Sequence, residues 1–334
     1  MRLIEKVWFK SHAAKWIIVP LLLPLTALFA LISKLRRYCY TTKIFKSYRI
    51  DKPVIVVGNI GIGGNGKTPV VVLLVKLCQE LGLTPGVISR GYGGNAPNYP
   101  YLLNDKSSSI EAGDEPILIY QRCKVPVAVG ADRVGNANLL VSQGCDIILA
   151  DDGLQHYRLK RDVEIIVVDG KRLFGNGLLL PSGPLREGLW RLKTADLVIK
   201  NGANKETVIA NEVVMNLSAT VVCHLISGER RQLAEFIPQN KVINAMAGIG
   251  SPERFFATLA ELNFDIHFRK GFVDHHKFSL IDFGCFDNGL PLLMTEKDAV
   301  KCKSFALDNW WYLPVDAVIS ASEREQLKTK LNNF

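Results

Sequence analysis

The apolar residues of this chain fall into short runs that alternate with longer amphipathic stretches. Residues 53–58 have the β-branched density of a strand buried in a parallel sheet, and residues 68–81 follow as a predicted helix. Further helices are predicted at 133–143, 252–262 and 320–331. Because strands and helices alternate, the pattern predicts a mostly parallel α/β sheet flanked by helices. The remaining predicted strands are 86–89, 125–129, 146–150, 164–168, 196–199, 220–225, 242–247, 292–294 and 310–313.

The longest apolar segment lies near the N-terminus, where residues 16–33 carry no charged side chain. Its length is at the short end of what a membrane span requires, and Pro20 and Pro24 interrupt it. We expect it to attach the protein to an anionic membrane surface, as a single span or as a monotopic helix. A signal peptide is disfavoured because no small-x-small site precedes a plausible mature start; a core helix is the remaining alternative. Cations flank the segment on both sides: Lys6, Lys10, Lys15, Lys34, Arg36, Arg37, Lys43 and Lys46.

The positive charge of the chain is concentrated at its N-terminal end. The net charge of the 334 residues is +9, and residues 1–49 hold ten lysines and arginines against one acid, Glu5. Since the remainder is neutral overall, we predict no nucleic-acid partner, and we infer no obligate protein partner. The seven cysteines are widely spaced without a Cys-x-x-Cys pair, which argues against disulfides or a zinc site and indicates reduced thiols in the cytosol.

Between the first predicted strand and helix, residues 61–68 read Gly-Ile-Gly-Gly-Asn-Gly-Lys-Thr. In such a loop, successive backbone N–H groups and a helix N-terminus point at one spot, which favours phosphate oxygens. The lysine of this pattern reaches the outer phosphates, and the threonine hydroxyl is a ligand for Mg²⁺. The predicted nucleotide-binding residues are Gly61, Gly63, Gly64, Asn65, Gly66, Lys67 and Thr68.

The same glycines also satisfy the dinucleotide fingerprint G-x-G-x-x-G. Two features weigh against that interpretation: Lys67-Thr68 completes the triphosphate pattern, and the next predicted strand ends in Arg90 instead of an acid for a ribose hydroxyl. An arginine there suits a 2′-phosphate, so NADP stays open as an alternative, as does a glycine-rich turn without a ligand.

Acidic residues follow two of the predicted elements. Asp151 and Asp152 end the apolar run 146–150, and ligands bind at the carboxyl ends of parallel strands. We interpret them as carboxylates beside Mg²⁺; two capping aspartates are the alternative. Asp114, in the string Gly-Asp-Glu-Pro, is interpreted as a carboxylate that accepts a hydroxyl proton, or else as a helix N-cap.

Histidines and arginines add further candidates. Asp274-His275-His276 places a carboxylate beside two imidazoles, which suits orienting a base or binding phosphate better than binding metal. Arg90 and Arg186 lie in loops rich in glycine and proline, where an arginine can bind phosphate or stabilise transition-state charge; ordinary surface turns are the alternative. The string Thr-Glu-Lys-Asp at 295–298 is similar to a GTPase base-reading motif, but its shifted lysine makes it weak evidence for guanine.

Taken together, these residues resemble the tetraacyldisaccharide 4′-kinase family, the lipid A 4′-kinases. The strings Asp-Asp-Gly-Leu-Gln-His and Thr-Glu-Lys-Asp-Ala-Val are specific to this family, whereas the phosphate loop is widespread. The hydrophobic N-terminal arm fits the family as well. The matching stretches occur in the family's order: 61–68, 89–94, 113–116, 151–156, 180–187, 248–255, 274–276 and 295–301.

The resemblance implies transfer of the γ-phosphoryl group of ATP, with Mg²⁺, to the 4′-hydroxyl of an acylated glucosamine disaccharide 1-phosphate. It places this reaction at the cytosolic face of the Gram-negative inner membrane. It also implies a P-loop NTPase-like lobe and a second, smaller α/β lobe. We therefore expect a membrane arm at 1–49, a nucleotide lobe at 50–160 to which helix 320–334 returns, and a lobe at 164–310 contributing to the substrate cleft.

The resemblance also assigns roles to residues. Asp114 would be the catalytic base paired with His275, although His276 remains open as its partner, and Arg186 would be a charge clamp. Metal-side ligands would be Thr68, Asp151 and Asp152, and further substrate-site candidates are Arg90, Gln155, His156, Glu187 and His276.

Two other functions remain as alternatives. One is a membrane-tethered P-loop ATPase or GTPase switch without a small acceptor, and the other is a binding module that assembles on nucleotide.

Overall fold

The chain folds into two β-sheets covered by helices, as seen in a computed structural model that describes residues 3–202, 212–286 and 289–332. The helices are α1 (Leu3–Phe9), α2 (Lys15–Thr41), α3 (Lys67–Glu80), α4 (Ser109–Ala112), α5 (Asp114–Cys123), α6 (Arg133–Ser142), α7 (Leu233–Gln239), α8 (Pro252–Glu261), α9 (Glu296–Cys302) and α10 (Ala321–Asn332). Short 3-10 helices lie at Leu189–Lys193, Leu280–Phe286 and Lys303–Phe305. The strands are β1 (Val54–Gly58), β2 (Pro85–Ser89), β3 (Tyr101–Leu102), β4 (Val127–Val129), β5 (Ile147–Asp151), β6 (Val163–Asp169), β7 (Leu197–Asn201), β8 (Val213–Ser218), β9 (Val221–His224), β10 (Arg230–Gln232), β11 (Val242–Ala247), β12 (Asp265–Gly271), β13 (Leu292–Thr295), β14 (Trp310–Leu313) and β15 (Asp316–Val318).

The larger sheet carries the glycine-rich loop at its centre. Its strands run in the order β15-β8-β7-β6-β1-β5-β2-β4-β3. Neighbouring pairs from β8 to β4 are parallel, whereas the edge strands β15 and β3 are antiparallel to their neighbours. Strand β1 is buried on both faces, because Ile55 and Val57 share a core with α3 while Val54 and Val56 belong to the opposite core. This confirms the predicted mostly parallel sheet flanked by helices.

The lobe boundary predicted at residues 160–164 needs correction, because the first sheet continues beyond it. Strand β6 pairs with β1, β7 with β6 and β8 with β7, so strands β6, β7 and β8 belong to the first sheet. The smaller second sheet has the order β10-β9-β14-β13-β11-β12 and lies within residues 221–313. An apolar run is buried equally well in either sheet, so the hydrophobic pattern does not reveal which strands a run pairs with.

The C-terminal segment returns to the first sheet. Strand β15 pairs antiparallel with β8, and the side chains of Leu327 and Leu331 on α10 join the core that contains α3. Arg324 and Lys328 on the same helix form ion pairs with Glu80 at the end of α3. Helix α10 is therefore held to α3 by apolar burial and by charge.

Helix α2 contains the apolar segment predicted at residues 16–33 and extends to 27 residues. Its apolar window has a mean hydropathy of 2.3, and 6% of that window is buried. Thr26 is the one buried residue that the described structure has in α2. A core helix would be covered by other elements, so this exposure contradicts the core-helix alternative. The exposed large apolar side chains of α2 include Trp16, Ile17, Leu21, Leu23, Leu25, Leu28, Leu31, Ile32 and Leu35.

An ion pair between Asp169 at the end of β6 and Arg254 on α8 connects the two sheets. Arg254 Nη1 lies 2.6 Å from Asp169 Oδ2, and Arg254 Nη2 donates to Asp169 Oδ1 at 2.9 Å. The backbone N–H groups of Lys171 and Arg172 donate to the same Oδ1. Burial alone would raise the pKa of Asp169, but the hydrogen bonds and charge of Arg254 outweigh it, so that pKa is lowered.

We expect Asp169→Asn to lower the free energy of unfolding by about 2 kcal/mol near neutral pH, since it leaves a partly buried guanidinium without its carboxylate. Because folding lowers this pKa, the stabilisation is present above the ordinary carboxylate pKa of about 4 and is lost as the pH falls below it. Urea titrations near neutral pH and near pH ~3 measure this difference. The control is Asp265→Asn, whose exposed pair with Lys241 should contribute less than about 1 kcal/mol. An equal loss at both pH values would contradict the ion-pair explanation.

Candidate active site

The glycine-rich loop joins β1 to α3, and Gly66 at its end has no space for a side chain. Gly66 is the N-cap of α3 with a φ of 92°. A Cβ atom there would lie 2.7 Å from Asn201 Nδ2 and 2.9 Å from Met215 Cε. Asn201 Nδ2 also donates to the carbonyl of Asn65 at 3.2 Å, so the end of β7 is hydrogen-bonded to the loop. The first turn of α3 then presents Lys67 and Thr68 at the carboxyl edge of the sheet, as predicted.

Three of the predicted residues come together beside this loop. Lys67 Nζ lies 3.4 Å from Asp152 Oδ1. Arg186 Nη1 donates to both carboxylate oxygens of Asp152, at 3.3 and 3.1 Å. Burial alone would raise the pKa of Asp152, but the two cations outweigh it, so that pKa is lowered. The ionised carboxylate therefore holds the lysine and the arginine on one side of the phosphate loop.

Asp151 differs from Asp152 in its hydrogen bonding and in the direction of its pKa shift. It is 1% exposed, and neither carboxylate oxygen has a hydrogen-bond partner among the described residues. Burial, followed by the charge of Glu115, raises the pKa of Asp151 to about 7. A buried carboxylate without donors fits a position that a cation completes. No cluster of three or more His, Cys, Asp or Glu side chains in the described ranges could hold a metal alone. Mg²⁺ commonly takes one or two protein carboxylates and completes its shell with phosphates and water.

The second cluster pairs Asp114 with His275 across the two lobes. Asp114 is the first residue of α5, and the N-cap is Gly113, so the N-cap alternative for Asp114 is wrong. His275 Nδ1 lies 3.2 Å from Asp114 Oδ2. The imidazole ring packs against Tyr92 with centroids 5.2 Å apart, and its backbone is left-handed with a φ of 59°. The pair thus consists of a buried carboxylate and an imidazole that opens to solvent on one side.

Two lysines of this cluster were missed by sequence reasoning. Lys297 Nζ lies 3.3 Å from Glu115 Oε1, 3.2 Å from Asp274 Oδ1 and 3.4 Å from His275 Nε2. Burial lowers the pKa of Lys297, but the surrounding carboxylates outweigh it, so the net shift is upward. Lys301, four residues later on α9, lies 3.9 Å from Asp114 Oδ2. Their i, i+4 spacing in the Thr-Glu-Lys-Asp-Ala-Val-Lys string was the available signal, because it predicts one helix face.

Residues 295–298, which are similar to a base-reading motif, form the start of helix α9. Thr295 is the N-cap of α9, and its Oγ1 accepts from the backbone N–H of Asp298. Asp298 is fully buried and accepts from the backbone N–H of Gly248 at 2.8 Å. Lys301 Nζ lies 2.7 Å from its other oxygen. The string therefore builds the lysine-bearing face of α9 next to Asp114.

His275, and not His276, is the histidine beside Asp114. The ring of His276 stacks on Phe272 and meets Phe278 edge-on, each with centroids 4.8 Å apart. His276 Nε2 lies 3.3 Å from Asp282 Oδ2. These contacts make His276 part of the packing of the second lobe. His275 is therefore the candidate partner of Asp114.

Gln155 and Glu187 form a network that connects the entrance of the phosphate loop to the loop carrying Arg186. Gln155 Nε2 donates to the carbonyl of Asn59 at 3.2 Å and to Glu187 Oε2 at 3.0 Å. The hydroxyl of Tyr157 also donates to Glu187. A substrate contact by Gln155 or Glu187 stays a prediction, since the observed contacts are with the protein.

The last two candidates, His156 and Arg90, lie at the edges of the cluster. Burial and the charge of Arg133 lower the pKa of His156 to about 4, so the imidazole is neutral at physiological pH. Arg133 itself is buried and donates to the carbonyls of Ile88 and Asp151, each at 3.0 Å. Arg90 is exposed just beyond β2, where it stays a candidate for a substrate or phosphate contact.

The model of the family LpxK, tetraacyldisaccharide-1-P 4′-kinase, matches residues 18–333. The chain belongs to this family. The tetraacyldisaccharide 4′-kinase of Colwellia psychrerythraea is 64% identical over 328 residues, which are 97% of this chain and 96% of that protein. The enzyme of the same name from Vibrio cholerae is 48% identical over 329 residues, 98% of this chain and 96% of its own. The crystal structure of LpxK from Aquifex aeolicus in complex with ATP is 27% identical with a TM-score of 0.79, covering 95% of this chain and 99% of that one.

Membership makes this protein a kinase of lipid A biosynthesis that phosphorylates a hydroxyl group of a disaccharide precursor. The resemblance inferred from the sequence is confirmed, and so is the fold class with its two α/β sheets and apolar N-terminal helix. The dinucleotide alternative and both rivals without an acceptor substrate are thereby overturned. The roles of individual residues in the kinase are a separate question.

Proposed function

We propose that the kinase transfers the γ-phosphoryl group of ATP to the 4′-hydroxyl of a tetraacyl glucosamine disaccharide 1-phosphate through the two clusters described above. The observation that carries this proposal is the Asp114–His275 pair beside a phosphate loop. Nucleotide binding alone does not need a carboxylate supported by an imidazole. Glu115 connects the clusters, because it contacts Lys297 and is close enough to Asp151 to raise its pKa.

ATP would lie on the phosphate loop, with its phosphates held by the backbone from Gly61 to Gly66 and by Lys67. The Aquifex aeolicus relative was crystallised in complex with ATP, which supports this placement. Thr68, Asp151 and Asp152 would hold Mg²⁺, which offsets phosphate charge when bound. The unpartnered oxygens of Asp151 fit that assignment.

Asp114 would orient the acceptor hydroxyl and take its proton. A carboxylate is a weak base, but in a loose phosphoryl-transfer transition state its main task is to position the nucleophile. His275 holds the carboxylate through Nδ1 while Lys297 approaches the other ring nitrogen, so the imidazole is fixed from both sides. Arg186 pairs with Asp152 beside the phosphate loop and would stabilise charge on the transferred group.

The lipid acceptor would be met at the cytoplasmic face of the inner membrane, where ATP is available. The acyl chains remain in the bilayer, so the kinase must come to the membrane, and α2 offers apolar surface flanked by cations. Contacts along α2 support the monotopic arrangement. Thr26 bonds with Ser182, and Arg37, eleven residues or about 16 Å further along α2, lies 3.7 Å above the ring of Trp190. A spanning helix would draw both loops into hydrocarbon.

The first experiment follows labelled γ-phosphate from ATP in detergent micelles, with the acylated disaccharide 1-phosphate present or absent. We expect label in the lipid, at the 4′ position, only when protein, Mg²⁺ and acceptor are all present. Label released only as inorganic phosphate, with or without lipid, would contradict the proposal and favour an ATPase switch. Label at another hydroxyl would refute the assigned acceptor position.

The cations on either side of the apolar segment 16–33 provide a test of membrane attachment. Replacing Lys34 and Lys46 together with glutamine should weaken binding to vesicles containing anionic lipid about ten- to thirtyfold, since each cation near such a surface contributes about 1 kcal/mol. Vesicle sedimentation at low and high salt measures the effect, and neutral vesicles should show little change. The control is a double variant, Lys241→Gln with Lys303→Gln, at two exposed lysines of the second lobe. Equal losses for both double variants would argue against a specific role of the arm.

A further inference from the structure

A closed loop, residues 176–187, lies between helix α2 and the phosphate loop, and we call it the bridging loop. Asn176 Nδ2 donates to the carbonyl of Ser182 at 2.9 Å, which ties its start to its middle. A Cβ atom at Gly183 would lie 2.2 Å from the carbonyl oxygen of Leu178, so the chain turns back on itself without space for a side chain. Such a closed loop transmits a displacement of one side to the other.

One side of the bridging loop is bonded directly to the phosphate-binding site. The backbone N–H of Ile62, within the phosphate loop, donates to the carbonyl of Pro184 at 2.9 Å. The backbone N–H of Arg186 donates to the carbonyl of Ile60 at 2.6 Å, and its guanidinium reaches Asp152. A shift of this side would move the start of the phosphate loop and the arginine together.

The other side is bonded to the centre of α2. Thr26 Oγ1 donates to Ser182 Oγ at 2.7 Å and accepts from the Ser182 backbone N–H at 3.0 Å. Ser182 Oγ in turn donates to the carbonyl of Val19 at 3.4 Å. Ser182 is fully buried, and Trp8 Nε1 of α1 donates to the neighbouring carbonyl of Pro181.

Membrane attachment does not explain the hydroxyl of Thr26. An aliphatic side chain at this position would serve an apolar helix at least as well. The hydroxyl instead bonds to a buried serine side chain and accepts from a buried backbone N–H. Removing it would take the acceptor from that N–H and leave the serine hydroxyl with its longer bond to the carbonyl of Val19. The position of α2 is therefore linked to that of Ser182, which lies two residues before Pro184 and four before Arg186.

We propose that Thr26 and Ser182 are positioning residues for phosphoryl transfer, which couple the seating of α2 on a lipid surface to the placement of Arg186 and the phosphate loop. This inference rests on the proposed function and adds to it a structural role for the membrane helix in the reaction itself. Docked α2 would hold the bridging loop, and through it the catalytic arginine, in the arrangement described above.

Thr26→Val, which keeps the shape and removes the hydroxyl, tests the proposal. We expect kcat for the acylated disaccharide in mixed micelles to fall about tenfold, with KM for ATP within about twofold of wild type. Sedimentation with vesicles containing anionic lipid should be unchanged. Hydrogen–deuterium exchange of the peptide covering residues 178–187 should be faster than in wild type. Thr26→Ser, which restores the hydroxyl, should recover both kcat and the protection of the peptide.

The matched control is Thr41→Val, at an exposed position on the same helix, where the hydroxyl donates to the carbonyl of Tyr38 within that helix. The proposal is overturned if Thr26→Val keeps kcat within twofold of wild type, if Thr26→Ser fails to recover it, or if kcat and vesicle binding fall in parallel. If wild type transfers no phosphate to the lipid, the proposed function fails. Faster exchange of the 178–187 peptide in Thr26→Val but not in Thr41→Val would still support the link, and its absence would refute it.

Discussion

Asp114→Ala should lower turnover with the lipid acceptor about a hundred- to ten-thousandfold, while ATP binds almost as in wild type. The reason is that Asp114 faces His275 and Lys301, and the phosphate loop is built without it. Steady-state kinetics in mixed micelles give the loss in kcat. Thermal stabilisation by ATP with Mg²⁺ gives the nucleotide affinity, which should stay within a few-fold.

Asp114→Asn accompanies the alanine variant, because it keeps the volume and one oxygen toward His275 but cannot accept the acceptor proton. It should be as slow as the alanine variant, which separates proton acceptance from packing. Asp308→Ala, at an exposed carboxylate of the second lobe, is the control and should retain full activity. A rate for Asp114→Ala within a few-fold of wild type would show that the base is another group.

Lys67→Ala should reduce both activity and nucleotide binding. We expect kcat to fall about a hundred- to a thousandfold, because an electrostatic contact to the transferred phosphoryl is lost. KM for ATP should rise as well, and stabilisation by ATP with Mg²⁺ should largely disappear. This pattern differs from that of Asp114→Ala, so the two variants distinguish nucleotide binding from acceptor activation.

The structure supplies a matched control for Lys67 on the same helix. Lys76 is more exposed than Lys67 and pairs with Asp316 at 2.8 Å, whereas Lys67 pairs with Asp152 beside the phosphate loop. Lys76→Ala should keep kcat and KM for ATP within about twofold of wild type, because an exposed pair contributes little. Nucleotide stabilisation that survives in Lys67→Ala would mean that the backbone of the loop, and not the lysine, provides most of the affinity.

The sequence was sufficient to predict those parts of the structure that form from residues adjacent in the chain. The apolar run 53–58, the glycines of the phosphate loop and the helix after it were predicted together, because this strand–loop–helix unit forms from consecutive residues. The exposure of α2 was likewise indicated by its uninterrupted apolar composition between two groups of cations. The strand predicted at 146–150, observed at Ile147–Asp151, and the acids at its end were predicted for the same reason, since an apolar run and the residues that end it are visible in the sequence.

Tertiary structure decided everything that depends on which elements become neighbours. The chain from residue 164 was assigned to the second lobe, because an apolar strand pattern does not reveal which strands it pairs with. The pairing of β6 with β1, β7 with β6 and β8 with β7 places these three strands in the first sheet. The adjacent His275 and His276 carry equivalent side chains, and the left-handed backbone at His275 turns one ring to Asp114 while its neighbour enters an aromatic core.

The chain by itself therefore determined the kind of chemistry, since a phosphate loop, acids at strand ends and a cationic apolar arm each have a local signature. Only the tertiary structure decided how these parts work together. It brings Lys297 within reach of His275, leaves the oxygens of Asp151 without a donor in the part of the chain that the structure describes, and bonds Thr26 of α2 to the loop of Arg186. The bond between Thr26 and Ser182 joins residues 156 positions apart, and side-chain geometry at that separation is set by packing between elements rather than by any run of adjacent residues.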